Sequence, residues 1–519
     1  MAKAKAPIYK KVVLLILDGW GLGKSDASNA IFMAKTPTIN GLYRKYPWVT
    51  LEASGLPVGL PLGQVGNSEA GHLNLGAGRI VDQDVVKISK QISTGEFFKN
   101  PAFLAAIKHV ENNKSNIHLM GLLSTDQSPH SSPDHLMALL MVFRRVTTGN
   151  IYLHLFTDGR DSPPRSALKA VEALERFLTP KEKIATIIGR FYAMDRKKSW
   201  DRNNKAYEAM VLGVGHKGNS PQEGITRAYN ANVTDEFIEP VIMYDGDKML
   251  PRISDKDALV YFNLRSDRAR QLTKLFVQKD FEGKNLGAPK RKKVLQDLLF
   301  VAMTDFGPDL DTIYTAYPSE DVRETLPLAL KDKKQIYIAE SEKYAHMTYF
   351  FNGGYADKID GEDRVMVPSP MVDSYDLKPV MSTAQITTKI LGALRKYDFI
   401  AANFACPDMV GHTGNFKAGI KEAEAVDKYV KKVLQAVLKA KGALIITADH
   451  GNLEYMLNLE TGEIITEHTG NQVPFILVGR DFNHKTQLKT GGCLGNVAPT
   501  ILKLMGVKKD PLMTKDSLL

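Results

Sequence analysis

The sequence predicts an α/β architecture with mainly parallel sheets, divided between two domains. Short apolar, β-branched runs alternate along the chain with longer stretches of helical periodicity. Each apolar run gives way to a charged or polar cluster, as strands do where their carboxyl ends meet a binding cleft. The length, 519 residues, exceeds one ordinary core and requires two domains, or one domain carrying a large insertion.

The expected strands are residues 12–17, 151–156, 184–188, 259–264, 335–339, 399–404 and 443–447. Beyond their carboxyl ends stand, in the same order, Asp18, Asp158 to Asp161, Arg190, Arg265, Lys343, Asp408 and Asp449. Segments 163–178 and 418–438 place apolar residues three and four apart, the spacing of sheet-covering helices. There is no internal repeat or low-complexity tract, and the Gly-rich pieces are short turns.

Hydrophobic residues at 44% and charged residues at 24% fit a soluble globular chain. No apolar stretch reaches the roughly 18 residues of a membrane span. Lys3, Lys5, Lys10 and Lys11 precede the apolar run 12–17, but that run is too short for a signal peptide and no small-residue cleavage pattern comes after it. Cys406 and Cys493 make neither a disulfide framework nor a zinc spacing, so a reducing cytoplasm is the expected setting. The net charge of +10 suits either a nucleic acid or a small anion. The densest basic run, Lys290 to Lys293, has no interleaved aromatics and reads as a solvated loop. Many arginines instead stand singly after strands, which fits a small anion. Neither a nucleic acid nor a membrane is an expected partner, and a monomer is expected.

Three acids at strand ends, Asp18, Asp408 and Asp449, would repel one another if gathered without cations. Asp408 and His412 are four apart, and Pro407 before them suits a helix start, so both fall on one helix face. Asp449 and His450 come directly after a buried strand, and His468 offers another nitrogen donor. Mixed carboxylate and imidazole donors suit Mn²⁺, Zn²⁺ or Co²⁺ better than calcium. A lone Asp-His pair is ordinarily a cap or turn; it is the assembly that points to metal. Residues Gly66-Asn67-Ser68-Glu69-Ala70-Gly71-His72 read as a turn entering a helix. Ser68 is there either an ordinary N-cap or a nucleophile activated by a divalent ion, with helix amides receiving a phosphate.

Asp18-Gly19-Trp20-Gly21, the Gly66 to His72 segment, Pro407-Asp408-Met409-Val410-Gly411-His412-Thr413-Gly414 and Thr447-Ala448-Asp449-His450-Gly451-Asn452 closely resemble the cofactor-independent phosphoglycerate mutase family of the alkaline phosphatase superfamily. Between them, Asp158-Gly159-Arg160-Asp161, Gly189-Arg190, Ala193-Met194-Asp195-Arg196, Asn263 to Arg268 and Ala339 to Tyr344 also look like that family.

The resemblance implies an alkaline-phosphatase-like domain of residues 1–82 and 318–519, its mainly parallel sheet flanked by helices. An inserted α/β transferase domain of residues 83–317 would bind substrate, with hinges near Asp82 and Pro318. It implies two divalent ions, Mn²⁺ foremost with Mg²⁺, Co²⁺ or Zn²⁺ as alternatives, and no 2,3-bisphosphoglycerate. Asp408, His412 and His468 would hold one ion; Asp18, Ser68, Asp449 and His450 would hold the other. Ser68 would become phosphoserine. His130, Arg160, Asp161, Arg190, Arg196, Arg265, Arg268 and Lys343 would bind phosphoglycerate, and Asp161, beside Arg160, would be the acid and base.

The segment Ser124 to Ser132 departs from the family by an extra residue and a lost histidine; its register puts His130 on the substrate histidine, supported by Asp134 and His135. The arginines have a plainer reading as surface ion pairs, Arg196 with Asp195, and Arg265 and Arg268 with Asp267 or Asp257. His109, His118, His154, His216 and His484 lack a motif and read as structural. The implied reaction interconverts 3- and 2-phosphoglycerate, a step of glycolysis and gluconeogenesis. A metal-dependent phosphatase, a phosphopentomutase and a non-catalytic nucleic-acid binder stand as rivals.

Overall fold

The computed structural model describes residues 8–124, 128–319 and 321–519. Lys3 and Lys5, and Thr125, Asp126 and Gln127 of the altered loop, lie outside the described residues. The chain divides into two compact units, residues 1–83 with 321–519, and residues 84–320.

The first unit is built on an eight-stranded sheet. Its central strand, Val12–Leu17, runs parallel to Phe399–Phe404 on one side and to Ala443–Thr447 on the other. All three are fully buried, which explains their near-continuous apolar sequences. Gln335–Glu340 lies parallel beside Phe399–Phe404. Beyond Ala443–Thr447, strand Val473–Val478 is antiparallel, and Trp48–Glu52 is antiparallel to it in turn. This arrangement gathers the site. The parallel strands deliver the segments after their carboxyl ends to one edge, Val473–Val478 starts from that edge with His468 just before it, and Trp48–Glu52 runs toward it ahead of Ser68.

The second unit has a nine-stranded sheet whose first six strands in spatial order are parallel: Ile313–Tyr317, Leu299–Thr304, Ala258–Tyr261, Ile117–Leu123, Ile151–Thr157 and Glu182–Gly189. Alternate residues feed separate cores on its two faces, Leu119 and Leu153 into one, Met120 and Phe156 into the other. Helices pack on both sides, as a parallel sheet requires.

Two elements are shorter than their sequences suggest. The strand expected over 259–264 stops at Tyr261, where the Asn263 side chain accepts from the Leu122 amide, 2.9 Å. The helix expected over 163–178 is Ala167–Glu175. Its start is set by Asp235, whose Oδ2 accepts from the amides of Ser166 and Ala167 at 2.7 and 2.9 Å. By contrast the helix expected over 418–438 extends to Phe416–Lys439, capped by Asn415, which accepts from the Ala418 amide at 3.1 Å. The basic run at 290–293 is not simply solvated. Arg291 is buried, stacks 5.1 Å over the Phe281 ring, and donates to the carbonyls of Leu275 and Gln278. Among the described residues no helix is long and apolar enough to cross a membrane.

One core residue has a pH signature. Glu422, on helix Phe416–Lys439, is fully buried, and apart from the weak Cys406 thiol no group hydrogen-bonds its carboxyl oxygens. Burial pushes its pKa up to about 8, tempered by the Cys406 thiol beside it, a weak donor. The folded state therefore keeps a proton that the unfolded chain releases near pH 4.5. The stability this proton confers is complete below that value and is lost as pH rises through about 8, by at most about 1.4 kcal/mol per pH unit. Glu422→Gln is expected to flatten the decline of the melting temperature between pH 5 and 8; an unchanged decline would remove Glu422 as its source.

Candidate active site

Ser68 is the first residue of helix Ser68–Ala77, and the cap is Asn67, whose side chain accepts from the Ala70 amide at 2.9 Å. The N-cap reading of Ser68 is thereby replaced: with Asn67 closing the helix end, the Ser68 hydroxyl is left for other partners. Lys343, in the short 3₁₀ turn after strand Gln335–Glu340, reaches it. Its Nζ donates to Ser68 Oγ, Asp18 Oδ1 and Asp408 Oδ2, each at 2.7 Å. All three ammonium protons are used, and Lys343 is buried.

His450 Nδ1 donates to the Gly451 carbonyl at 3.3 Å, which leaves the Nε2 lone pair facing Ser68 Oγ at 2.9 Å. Asp18 Oδ1 lies 3.4 Å from Ser68 Oγ and 3.6 Å from His450 Nε2, and Asp449 Oδ2 lies 3.5 Å from that nitrogen. Asp449 Oδ2 has no hydrogen-bond partner. His72 Nδ1 is 3.1 Å away, but its proton goes to the Ser68 carbonyl at 2.9 Å.

A second cluster has the same logic. His412 Nδ1 donates to Thr466 O at 2.7 Å and His468 Nδ1 to Gly66 O at 2.8 Å. Their Nε2 atoms stand 3.0 Å apart and lie 3.3 and 3.0 Å from Asp408 Oδ1. Three electron-pair donors this close repel unless a proton or a cation is shared among them.

The candidate ligand atoms of Asp408, His412 and His468 lie within 4.8 Å of one another, as do those of Asp18, Asp449 and His450. Carbonyl-oriented imidazoles, a bare carboxylate oxygen and mixed O/N donors fit divalent transition metals. The residues present therefore fit the ions that the family resemblance implies.

Burial alone would raise all three carboxyls. For Asp408 the Lys343 ammonium reverses this, and for Asp449 the facing His450 and His72 do so, leaving both well below the usual carboxylate range. Asp18 feels burial and the neighbouring Asp449 charge and is held up. Burial also opposes the Lys343 charge, but Asp18, Asp408 and Asp449 outweigh it and raise the lysine. Hydrogen bonding to Asp408 raises His412; burial lowers His468, but Asp408 overrides that too.

In the second unit Arg160, Arg190, Arg196 and Arg268 line one cavity of about 340 Å³ together with Phe191, Asp195 and Arg202. Arg190 is buried, and its Nη1 donates to Asp158 Oδ1 and Asp161 Oδ2 at 2.5 and 2.6 Å. Burial would raise Asp161, but the Arg190 bond and charge hold it below the ordinary value. The cation that tunes Asp161 most is thus Arg190, ahead of its sequence neighbour Arg160.

His130 is buried with Nε2 3.8 Å from Asp161 Oδ2, and burial together with the Arg190 charge lowers it to about 4. His135 bonds Ser89 Oγ at 2.9 Å instead of supporting His130. Arg196 pairs with Asp267 at 2.6 Å, while Asp195 is taken by Arg202 at 3.2 Å. Arg268 donates to the Met194 carbonyl at 3.2 Å. Arg265 is exposed and forms no ion pair among the described residues.

Of the motifless histidines, His118 and His154 are structural, bonded to each other at 3.0 Å and onward to Asp257 and Thr186. His216 pairs with Glu239.

Sequence reasoning missed Asn403 and Asn452. Asn403 Nδ2 donates to Asp18 Oδ2 at 2.7 Å, and Asn452 Nδ2 to Asp408 Oδ1 at 3.1 Å. A polar residue inside the otherwise apolar run 399–404 is the signal that could have found Asn403.

The model of the Metalloenzyme superfamily matches residues 10–509. A 2,3-bisphosphoglycerate-independent phosphoglycerate mutase of Clostridium botulinum is 45% identical over 516 residues, covering 98% of this chain and 99% of that one. The chain belongs to the 2,3-bisphosphoglycerate-independent phosphoglycerate mutase family. Another relative so named, 2,3-bisphosphoglycerate-independent phosphoglycerate mutase 1 of Methanosarcina barkeri, is 46% identical over 527 residues, covering 100% of this chain and 99% of that one. Among solved structures, that of Leishmania mexicana phosphoglycerate mutase at low cobalt concentration matches with a TM-score of 0.69 at 30% identity, over 99% of this chain and 98% of that one. For a member of this mutase family, the two clusters and the arginine-lined cavity are the features that require a chemical account.

Proposed function

We propose that the protein interconverts 3-phosphoglycerate and 2-phosphoglycerate through a phosphoserine on Ser68. The observation that carries this reading is the Ser68 hydroxyl held between Lys343 Nζ at 2.7 Å and His450 Nε2 at 2.9 Å, beside both ligand clusters. The family relationship and the arginine-lined cavity support it. Asp408, His412 and His468 would hold one divalent cation, and Asp18, Ser68, Asp449 and His450 the other. When bound, such cations lower the serine hydroxyl's pKa and neutralise charge on a transferring phosphoryl group.

The chain's own residues do the rest. Ser68 Oγ forms a bond to phosphorus as the bond from phosphorus to the glycerate oxygen breaks. The proton given up by Ser68 must reach that leaving oxygen. In the second half, as the bond from Ser68 Oγ to phosphorus breaks and the glycerate's other oxygen takes the phosphoryl group, that hydroxyl's proton must return to Ser68 Oγ. Asp161, kept ionised by Arg190, is the proposed carrier. Arg160, Arg190, Arg196, Arg265 and Arg268 are the proposed anion ligands, since guanidinium forks match carboxylate and phosphate. His130, neutral above about pH 4, offers a hydrogen bond without adding charge. Lys343 steadies the charge developing at Ser68.

In this reading residues 84–320 form the substrate-binding transferase domain and the other unit supplies the phosphoryl-transfer centre. The protein would work in the cytoplasm.

Purified protein incubated with Mn²⁺ and 3-phosphoglycerate is expected to form 2-phosphoglycerate with little free phosphate, as monitored by phosphorus NMR. Release of phosphate without 2-phosphoglycerate would replace the mutase reading with a phosphatase.

A further inference from the structure

We propose that Glu454 is a positioning residue that sets the geometry of both ligand clusters at once; the inference rests on the metal-centre reading above. Glu454 is 1% exposed, and its carboxylate bonds not to the proposed ligands themselves but to the three loops that carry most of them. Oε2 accepts from the amides of Gly21 and Asn452 at 3.0 and 2.8 Å. Oε1 accepts from Asn471 Nδ2 at 3.0 Å and from the Thr469 hydroxyl.

Each bond lies close in sequence to a ligand. Gly21 is three residues from Asp18, Asn452 two from His450, and Thr469 one from His468. Asp408, on helix Cys406–Gly411, is reached at second hand, because Asn452, whose amide Glu454 holds, donates its side chain to it.

The chain makes room for this carboxylate. A Cβ at Gly21 would stand 2.3 Å from the Glu454 carboxyl carbon, and one at Gly451 would stand 2.3 Å from both Glu454 Oε1 and Thr469 Oγ1. Glycine at both positions lets two loops close onto one buried anion. Four donors satisfy it, which is what a buried carboxylate requires. Two of them are backbone amides, so they cannot reverse to become acceptors.

Glu454→Gln keeps the shape but removes the charge and one acceptor oxygen, so that Thr469 and Asn471 must both turn from donating to accepting. Groups that orient ligands typically change metal affinity by about ten- to a hundred-fold when altered. Calorimetric titration of metal-free protein with Mn²⁺ is therefore expected to show affinity about ten- to a hundred-fold weaker in Glu454→Gln than in the parent. Turnover should recover at high Mn²⁺ with KM for phosphoglycerate unchanged, a pattern that general loosening of the fold would not produce. Equal Mn²⁺ affinity in variant and parent would overturn the role of Glu454. If Glu454→Gln fails to fold, the double variant Thr469→Val, Asn471→Ala decides: it removes both donors on one oxygen, weaker Mn²⁺ binding supports the role, and unchanged binding overturns it. A parent protein that binds no Mn²⁺ would overturn the metal-centre reading instead, and the proposal with it.

Discussion

Ser68→Ala is expected to lower interconversion of phosphoglycerates by about four orders of magnitude or more while the protein stays folded. The magnitude comes from removing the proposed nucleophile, whose partners would act as a unit, where loss of any one member costs nearly the whole effect. The persistence of the fold comes from local structure. Asn67, not Ser68, caps helix Ser68–Ala77, and alanine is a good helix former at the vacated position. The losses are an acceptor for Lys343, which keeps Asp18 and Asp408, and a donor to His450; about 1–2 kcal/mol of stability is the expected scale. Mass spectrometry of acid-quenched protein after exposure to 3-phosphoglycerate should find a phosphate on the Ser68 peptide of the parent and none on the variant. Turnover near the parent rate would eliminate the phosphoserine route.

That experiment tests a residue whose surroundings were visible in the sequence for a physical reason. Fully buried parallel strands are apolar along nearly their whole length, so 12–17, 399–404 and 443–447 stand out to the residue. Polar residues immediately beyond them, Asp18 and Asp449, are conspicuous by contrast. Spatial order could not be read in the same way. Nothing local announces that His468 arrives ahead of an antiparallel strand to meet His412, 56 residues away, with Nε2 atoms 3.0 Å apart.

The same holds for Arg196, whose partner Asp267 lies 71 residues on instead of being its neighbour Asp195. Hubs are hidden for a different reason. Glu454 sits in a loop, where an acid ordinarily faces water, and only the four donors around it reveal a buried anion. Asn67 and Ser68 are both good capping residues, so sequence alone could not choose between them.

Lys343→Met is expected to damage stability and catalysis together. The side chain is replaced by one of similar length without charge, so the main change is loss of an ammonium that donates at 2.7 Å to Asp18, Asp408 and Ser68. Replacing a whole buried ion pair by apolar groups is often harmless, but removing one partner leaves the others buried and uncompensated, at a cost of about 3–5 kcal/mol. Here two carboxylates are left, with Asp449 close to Asp18 adding its own charge. In the proposed reaction the same ammonium would stand where charge develops on the serine oxygen, and losing one such donor typically lowers kcat by about 10²- to 10³-fold.

Arginine should not rescue the variant, because a planar fork cannot place three converging donors as an ammonium does. Mn²⁺ held by the same carboxylates, as proposed, would supply positive charge, so adding it should restore part of the lost stability and little of the lost rate. Melting temperatures with and without Mn²⁺, set beside kcat, separate the two effects. If Lys343→Met melts at the parent temperature in metal-free buffer, the lysine is not what holds Asp18 and Asp408 together, and the electrostatic account of this site fails.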